Sequence, residues 1–156
     1  MELKDSIIIK ANNTNIWEAL NTAEILKDCI PGCTDLTGNA EIGFEATVTQ
    51  KIGPVKATFK GSVSIFDVIH NKSYTIRGEG KGGVAGFAKG EARVSLRQID
   101  DVIELSYEVE AKVGGKIAQL GGRLIDGFAK NMAKKFFETF KKKLEAPSID
   151  GAQDNK

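Results

Sequence analysis

Hydrophobic and polar residues change their spacing twice along the chain. Residues 3–11, LKDSIIIKA, predict a first strand. Two short helices are predicted next, one with Asn13 or Thr14 as its N-cap and one over 22–28 with Thr22 as its N-cap. The sequence IPGC then ends the second helix, because proline cannot continue a helix and disfavours the helical conformation of the residue before it.

From residue 44 to 112 the apolar residues recur at every second position. This spacing predicts strands over 44–52, 55–69, around 74–79, 87–99 and 102–112, separated by turn sequences such as GP and HNK. Consecutive strands joined by short turns form an antiparallel meander. The alternation places Asp67, Tyr74 and Tyr107 on the same inward face as the large apolar residues.

The spacing returns to three and four residues after Lys116. Apolar side chains at this spacing predict one helix over 116–145, about 45 Å long, and they are Ile117, Leu120, Leu124, Phe128, Met132, Phe136, Phe140 and Leu144. We therefore predict a single α+β domain over 1–145, followed by a polar tail over 146–156.

The glycine-rich stretch RGEGKGGVAGFAKGEARV, residues 77–94, invites comparison with a nucleotide-binding loop. Such a loop needs a helix after its glycines, whose N-terminus holds the phosphates. Here the following residues, 87–99, alternate as a strand does, and Gly115-Lys116 is followed by Ile117 where a P-loop needs a hydroxyl. We interpret KGGVAG as a hairpin turn and predict no nucleotide site.

Small residues on the inward face leave room above the predicted sheet. Gly61, Gly78, Gly80 and Gly90 share this face with several alanines. Two interpretations remain open, a close approach of the long helix or a cavity that holds an apolar ligand.

The residue types needed for common catalytic and metal sites are scarce. His70 is the only histidine, and we expect it to be exposed in a turn. Cys29 and Cys33 have no third ligand nearby, so we expect two reduced cysteines that pack as small hydrophobic residues and hold no metal. We expect a binding protein rather than an enzyme, and a cyclase or aromatase is the weakest alternative.

Composition and charge limit the classes of partner that we expect the protein to bind. The chain has 156 residues, 41% hydrophobic and 28% charged, with a formal net charge of +1. This balance and the arrangement of the basic residues predict no binding to nucleic acid. The sequence pattern predicts neither a signal peptide nor a membrane span, so we expect a cytoplasmic protein.

The end of the long helix, AKKFFETFKKKLEA, is both basic and apolar. It could contact an anionic membrane surface from the cytoplasmic side, or it could bury its apolar stripe and expose its lysines to solvent. Candidate residues for membrane contact are Lys134, Lys135, Phe137, Lys141, Lys142 and Lys143.

Two segments resemble a known family. ALNTAEILKDCIPGCTDL (19–36) and VGGKIAQLGGRLIDGFAKNMAKKFFETF (113–140) are similar to the family of the carbon monoxide dehydrogenase G subunit, within the START-like helix-grip (SRPBCC, polyketide cyclase) superfamily. The resemblance covers about residues 1–145. It implies a curved antiparallel sheet of about six or seven strands wrapped around the long helix, with two short helices after the first strand and an elongated apolar cavity between.

The same resemblance implies an accessory role beside a molybdenum hydroxylase such as carbon monoxide dehydrogenase. The accessory roles that it implies are maturation of the enzyme, membrane recruitment, and binding of a quinone-like or lipid-like molecule. No cofactor is required for these roles. If the cavity binds such a hydrophobic molecule, strand parity and the resemblance together predict these lining residues: Trp17, Ile30, Phe59, Gly61, Tyr74, Gly78, Gly90, Tyr107, Leu120, Leu124 and Phe128. An assembly or recruitment factor with an incidental cavity is the alternative.

Overall fold

Seven strands and three α-helices make up the fold in a computed structural model that describes residues 1–146. The predicted tail lies outside the described residues from position 147 onward. The strands are β1 (Glu2–Ile9), β2 (Cys33–Asn39), β3 (Gly43–Ile52), β4 (Val55–Ile69), β5 (Ser73–Lys81), β6 (Phe87–Ile99) and β7 (Val102–Gly114). The helices are α1 (Asn13–Leu20), α2 (Ala23–Cys29) and α3 (Gly122–Glu145), and 3-10 turns cover Gly83–Ala85 and Lys116–Leu120.

The strands form one antiparallel sheet in the order β1-β7-β6-β5-β4-β3-β2. This confirms the predicted meander. Strand β2 was not predicted, because CTDLTGN is short and polar and lies at the edge of the sheet, where one side needs no apolar residue.

The register confirms most of the predicted inward face. Tyr74 lies opposite Val94, which lies opposite Tyr107, and all three side chains are buried. The prediction fails for Asp67. The pairing of β4 with β5 shifts between Phe66 and Ile69, and Asp67 adopts a positive φ of 53° there and is exposed. A bulge ends strict alternation, and no sequence pattern marks it here.

The long helix starts later than predicted. Residues Lys116–Leu120 form a 3-10 turn, and α3 begins at Gly122 after Gly121, whose φ of 94° favours glycine. Helix α3 therefore has 24 residues and is about 36 Å long. At α1 the predicted N-cap was one or two residues late, since Asn12 Oδ1 accepts hydrogen bonds from the backbone N–H groups of Thr14 and Asn15.

Buried side chains form two clusters at opposite ends of α3. The first cluster joins α1, α2, β1 and the central strands to the C-terminal half of α3 around Phe140, which is fully buried with Ile9, Ile16, Ile103 and Leu105. The second cluster joins Ile52, Ala85 and Ile117 to Phe59, Leu120 and Phe128 beside the start of α3. The helix backbone approaches β1 and β3 more closely than the strands between them. Helix α3 therefore spans the sheet and is held near both of its ends.

Phe140 is the test of the first cluster. We expect Phe140→Ala to lower the free energy of unfolding by about 3–5 kcal/mol, because it leaves a cavity in a fully buried site. Urea denaturation measures the change. Ile42→Ala is the control, since Ile42 is 80% exposed and its truncation is expected to change the free energy by less than about 0.5 kcal/mol. Equal effects of the two substitutions would contradict this account of the core.

Candidate functional site

The middle of the inner face of the sheet is less well covered than its ends. We call this region the inner strip and define it by the small residues that face α3 between the two clusters: Gly61, Gly78, Gly80, Ala88, Gly90 and Ala111. All six are half-buried, and so are the inward side chains of Val48, Val63, Ile76 and Val109 nearby. Apolar surface on the inner face therefore remains accessible beneath the helix.

The glycines of the inner strip have two different roles. A Cβ added at Gly90 would lie 2.2 Å from the carbonyl oxygen of Glu110, and one at Gly61 would lie 3.1 Å from that of Glu79. The neighbouring strand leaves no room for a side chain at Gly90, and at Gly61 even a methyl group would be a tight fit. At Gly80, on the central strand β5, a Cβ would meet no described atom within 4 Å. The tight glycines thus face backbone of the sheet itself, whereas Gly80 faces open space.

Three of the predicted site residues lie in the first cluster. Trp17 packs edge to face on Tyr74 with ring centroids 5.4 Å apart, and on His70 at 5.7 Å. Tyr107 stacks on Phe137 with a centroid distance of 4.6 Å. All three predicted residues are at least nine-tenths buried, so they form one end of the inner strip.

Other predicted site residues gather at the opposite end. Phe59, Leu120 and Phe128 are half-buried members of the second cluster. Leu124 is 37% exposed and packs beside Gly53 in the β3–β4 turn. Ile30 lies apart from this group, half-buried at the C-cap of α2. The structure therefore separates the predicted residues into two groups with the glycines Gly61, Gly78 and Gly90 between them.

Met132 and Asp5 are two further candidate site residues that were not among the predicted lining residues. Met132 is half-buried on α3, between Phe128 of the second cluster and Phe136 beside the first. It was part of the predicted apolar stripe, and its spacing could have placed it over the strip. Asp5 lies opposite Tyr107 in the β1–β7 pair, and no hydrophobic pattern indicated this position.

The two tyrosine hydroxyls remain protonated over the physiological pH range. Burial raises the pKa of Tyr74, and burial together with the Asp5 carboxylate raises the pKa of Tyr107. Each neutral hydroxyl can donate a hydrogen bond at the edge of an otherwise apolar face.

The candidates for membrane contact occupy the other end of α3. Phe137 points into the protein, between Tyr107 and Phe136, and Lys143 Nζ lies 3.0 Å from Asp28 Oδ2. Lys134, Lys135, Lys141 and Lys142 lie beside them, and all but the half-buried Lys141 are exposed. In residues 1–146 no helix is both long and apolar enough to span a membrane.

Histidine and cysteine show no arrangement that binds a metal. His70 is exposed in the turn after β4, as predicted. Cys29 is buried and Cys33 half-buried, and both are free thiols. Within residues 1–146 no group of three or more His, Cys, Asp or Glu side chains could hold a metal ion.

A wide groove lies on the opposite, outer face of the sheet. Its volume is about 1120 Å³, and rows of charged side chains that include Arg77, Glu79, Lys89 and Glu91 form its walls. The charged side chains of this groove point away from the inner strip, because neighbouring residues of a strand point to opposite faces, but Gly78, Gly90 and Ala111 of the strip also line it.

The geometry can be compared with known proteins. A family model that describes the G subunit of carbon monoxide dehydrogenase (CoxG) matches residues 6–145. The chain belongs to this family. No curated protein matches the sequence.

Solved structures confirm the fold of this member of the CoxG family. A conserved protein from Geobacillus kaustophilus is 30% identical, with a TM-score of 0.85 over 92% of this chain and 95% of that one. A START superfamily protein from Mycobacterium smegmatis is 14% identical, with a TM-score of 0.69 over 94% and 99% of the two chains. The α+β helix-grip prediction is therefore confirmed. Family and START-like fold together suggest an accessory protein that binds a small molecule.

Gly90 and Gly80 provide a matched test of the inner strip. We expect Gly90→Ala to destabilise the protein by about 1–3 kcal/mol, because its Cβ would overlap the backbone of β7. Gly80→Ala is expected to be neutral or slightly stabilising, since the added methyl group meets open space and glycine is unfavourable in a strand. Thermal and urea unfolding of both variants measure the difference. The reverse order of stability would mean that the strip is not shaped as described.

The two cysteines are expected to react at different rates. Burial raises the pKa of Cys29 from 9.0 to about 11, so its thiolate is scarce at pH 8, and its side chain is inaccessible. The pKa of Cys33 is also raised by burial, but this side chain is only half-buried. At pH 8 iodoacetamide should alkylate Cys33 first, as peptide mass spectrometry would show, and both cysteines should react in guanidinium chloride. Faster alkylation of Cys29 in the folded protein would contradict its buried position.

Proposed function

We propose that this member of the CoxG family binds a hydrophobic, quinone-like or lipid-like molecule between α3 and the inner strip. The observation that carries the proposal is the open space at Gly80, which lies near the end of the central strand β5 on the face turned toward the helix. A well-packed sheet–helix interface would fill such a position with side chains.

The lining favours an apolar ligand. Gly61 and Ala88 lie opposite Gly80 in the neighbouring strands, and the half-buried side chains of Val63 and Ile76 lie farther along the same face. Removal of such surface from water when a ligand binds is favourable by about 25 cal/mol per Å². Binding sites for small molecules have this character, with a small number of polar groups that orient the ligand.

The length of the strip favours an elongated ligand with one polar end. Gly80 lies six positions after Tyr74 on β5, a distance of about 20 Å along an extended strand. The protonated hydroxyls of Tyr74 and Tyr107 lie at the far end, where they could orient a carbonyl or hydroxyl group of the ligand. An isoprenoid quinone and a fatty-acyl lipid both combine such an end with an apolar chain.

The family description names a carbon monoxide dehydrogenase, and this supports an accessory role beside a molybdenum hydroxylase. In this role the protein would serve the enzyme from the cytoplasmic side of the membrane, with the bound molecule as its cargo. An assembly or recruitment factor that needs no ligand is the second candidate, and the same family description is its support.

Native mass spectrometry of the purified protein, followed by organic extraction, is the first test. We expect an apolar passenger at up to one per chain, or uptake of one when quinones and phospholipids are offered. A protein that stays empty under both conditions would overturn the ligand proposal and favour the assembly factor.

The substitution Gly80→Leu tests whether the ligand binds at the inner strip itself. A leucine side chain would fill the space above Gly80, so we expect passenger occupancy to fall at least tenfold while the protein stays folded. Ser62→Leu is the matched control, because Ser62 is exposed on the outer face of the neighbouring strand. Equal occupancy in both variants would show that any ligand binds elsewhere.

A further inference from the structure

The outer face of the sheet carries two neighbouring rows of charged side chains across β5, β6 and β7. The strand pairing defines a first row, which we call the lysine row, of Glu79, Lys89 and Lys112. Two positions away on each strand lies a second row, which we call the glutamate row, of Arg77, Glu91 and Glu110. All six side chains are exposed, and they line the wide groove of the outer face.

Like charges lie directly opposite each other within each row. Lys89 lies opposite Lys112, and Glu110 lies between Glu91 and Glu2 of the neighbouring strands. Like charges in such pairs are destabilising. The two rows are about 7 Å apart along each strand, so their opposite charges offset this repulsion only partly in water. The single chain therefore carries unfavourable pairs of both signs side by side.

The central charges of the two rows also lack ion pairs within the chain. No ion pair in residues 1–146 includes Lys89, Lys112 or Glu110. Elsewhere on the same face, cross-strand neighbours of opposite charge do meet, as Lys4 Nζ and Glu108 Oε1 do at 3.2 Å. The lysine and glutamate rows thus leave charges available to an external partner.

The sign of the charge differs between the two rows on every one of the three strands. On β6 Lys89 and Glu91 flank Gly90, and on β7 Lys112 and Glu110 flank Ala111. On β5 both signs are reversed, since the lysine row has Glu79 there and the glutamate row has Arg77, on either side of Gly78. A two-fold axis along the line of Gly78, Gly90 and Ala111 would therefore exchange the rows and bring opposite charges together at each strand.

We propose that the outer face binds a second copy of this chain around such a two-fold axis. The lysine row of each copy then faces the glutamate row of the other, in these pairings: Lys112 with Glu110, Lys89 with Glu91, and Glu79 with Arg77. Each pairing occurs twice, because the same surface of both copies forms a two-fold interface. The inference goes beyond the proposed ligand and does not depend on it.

The next rows on these strands are compatible with the same arrangement. The axis brings their residues together as follows: Phe87 with Arg93, Lys81 with Thr75, and Gly114 with Glu108. None of these contacts joins like charges, and an arginine above an exposed phenylalanine ring is favourable. Twisted sheets stack with their strands about 30° apart, so the match is closest along the axis.

A partner with charge of one sign fits this surface less well. A polyanion would be attracted to Lys89 and Lys112 and repelled by Glu91 and Glu110, and a polycation would meet the reverse. A second copy satisfies both rows. The charge pattern therefore favours self-association over binding to a nucleic acid or to a partner of uniform charge.

The size and polarity of the surface indicate a weak dimer. The groove extends from Glu2 on β1 to Thr37 on β2, across the whole sheet. Seven strands span about 30 Å and four rows about 20 Å, which gives roughly 600 Å² per copy, at the lower end of specific interfaces. Exposed ion pairs are individually weak and are screened by salt. Dimerisation should therefore depend on both protein concentration and ionic strength.

Sedimentation velocity of the full chain tests the proposal. We expect a reversible dimer over about 1–500 µM protein at about 50 mM salt, with a dissociation constant that rises about tenfold or more at about 300 mM salt. Lys112→Glu and Glu110→Lys, each alone, should raise the dissociation constant at low salt by about tenfold or more. The reason is that each reversed residue then faces a like charge, twice in each dimer.

An equal mixture of the two variants gives the decisive result. We expect Lys112→Glu and Glu110→Lys to form a mixed dimer about as tightly as the unchanged chain does, because the two reversed residues face each other with opposite charges and so do the two retained ones. Lys4→Glu and Glu108→Lys are the matched controls, since they change the net charge equally on the same strands outside the two rows. Each control alone should change the dissociation constant less than about threefold.

Thermal unfolding in dilute solution shows that the variants fold. Neither Lys112→Glu nor Glu110→Lys should lower the unfolding temperature of the monomer, because each replaces a cross-strand pair of like charges with a complementary one. A chain that stays monomeric at low salt would overturn the proposal. Unchanged dimerisation of both row variants, or equal losses in the controls, would overturn the location, and failure of the mixture to dimerise would overturn the two-fold arrangement. None of these outcomes alters the extraction result, so the two proposals can fail separately.

Discussion

The packing of Phe140 on the first cluster is the contact on which the rest of the arrangement depends. It fixes the C-terminal half of α3 against β1, α1 and α2, so that the remaining helix must extend back across the sheet toward the β3–β4 turn. The second cluster then receives Phe128 at the other end. A helix fixed at two places about three turns apart bridges the sheet between them. The space above Gly80 is consistent with this bridging, because no atom of either cluster lies within 4 Å of a Cβ placed there.

The glycines that first suggested a nucleotide loop serve the shape of the sheet. Gly90 lies where the neighbouring strand approaches too closely for any side chain and Gly61 where it approaches closely, whereas Gly80 has free space on the inner side. Similar residues in neighbouring strands thus have different physical roles. The small inward residues between the two clusters leave little bulk beneath the helix there. Larger inward residues would let the sheet pack against the helix along its whole length.

Alternating residues in β3–β7 and the three-to-four spacing of α3 were sufficient to predict the sheet and the long helix, because burial on one face demands that pattern. The parts that sequence could not supply depend on tertiary contacts. Strand β2 forms against β3 although its own residues are polar, and the bulge at Asp67 interrupts parity without a sequence signal. Trp17, Tyr74 and Tyr107 were correctly expected inside, yet only the structure shows that they belong to one cluster and Phe59, Leu120 and Phe128 to another.

Position connects the inner strip with the second cluster. Gly80 lies two residues before Gly82, where the chain turns into the 3-10 segment that carries Val84. The open space above Gly80 is therefore nearer to the exposed Val84 than to the tyrosines of the first cluster. An apolar molecule that entered the strip through this end would avoid most of the charged outer face, and its transfer would expose little apolar surface to water.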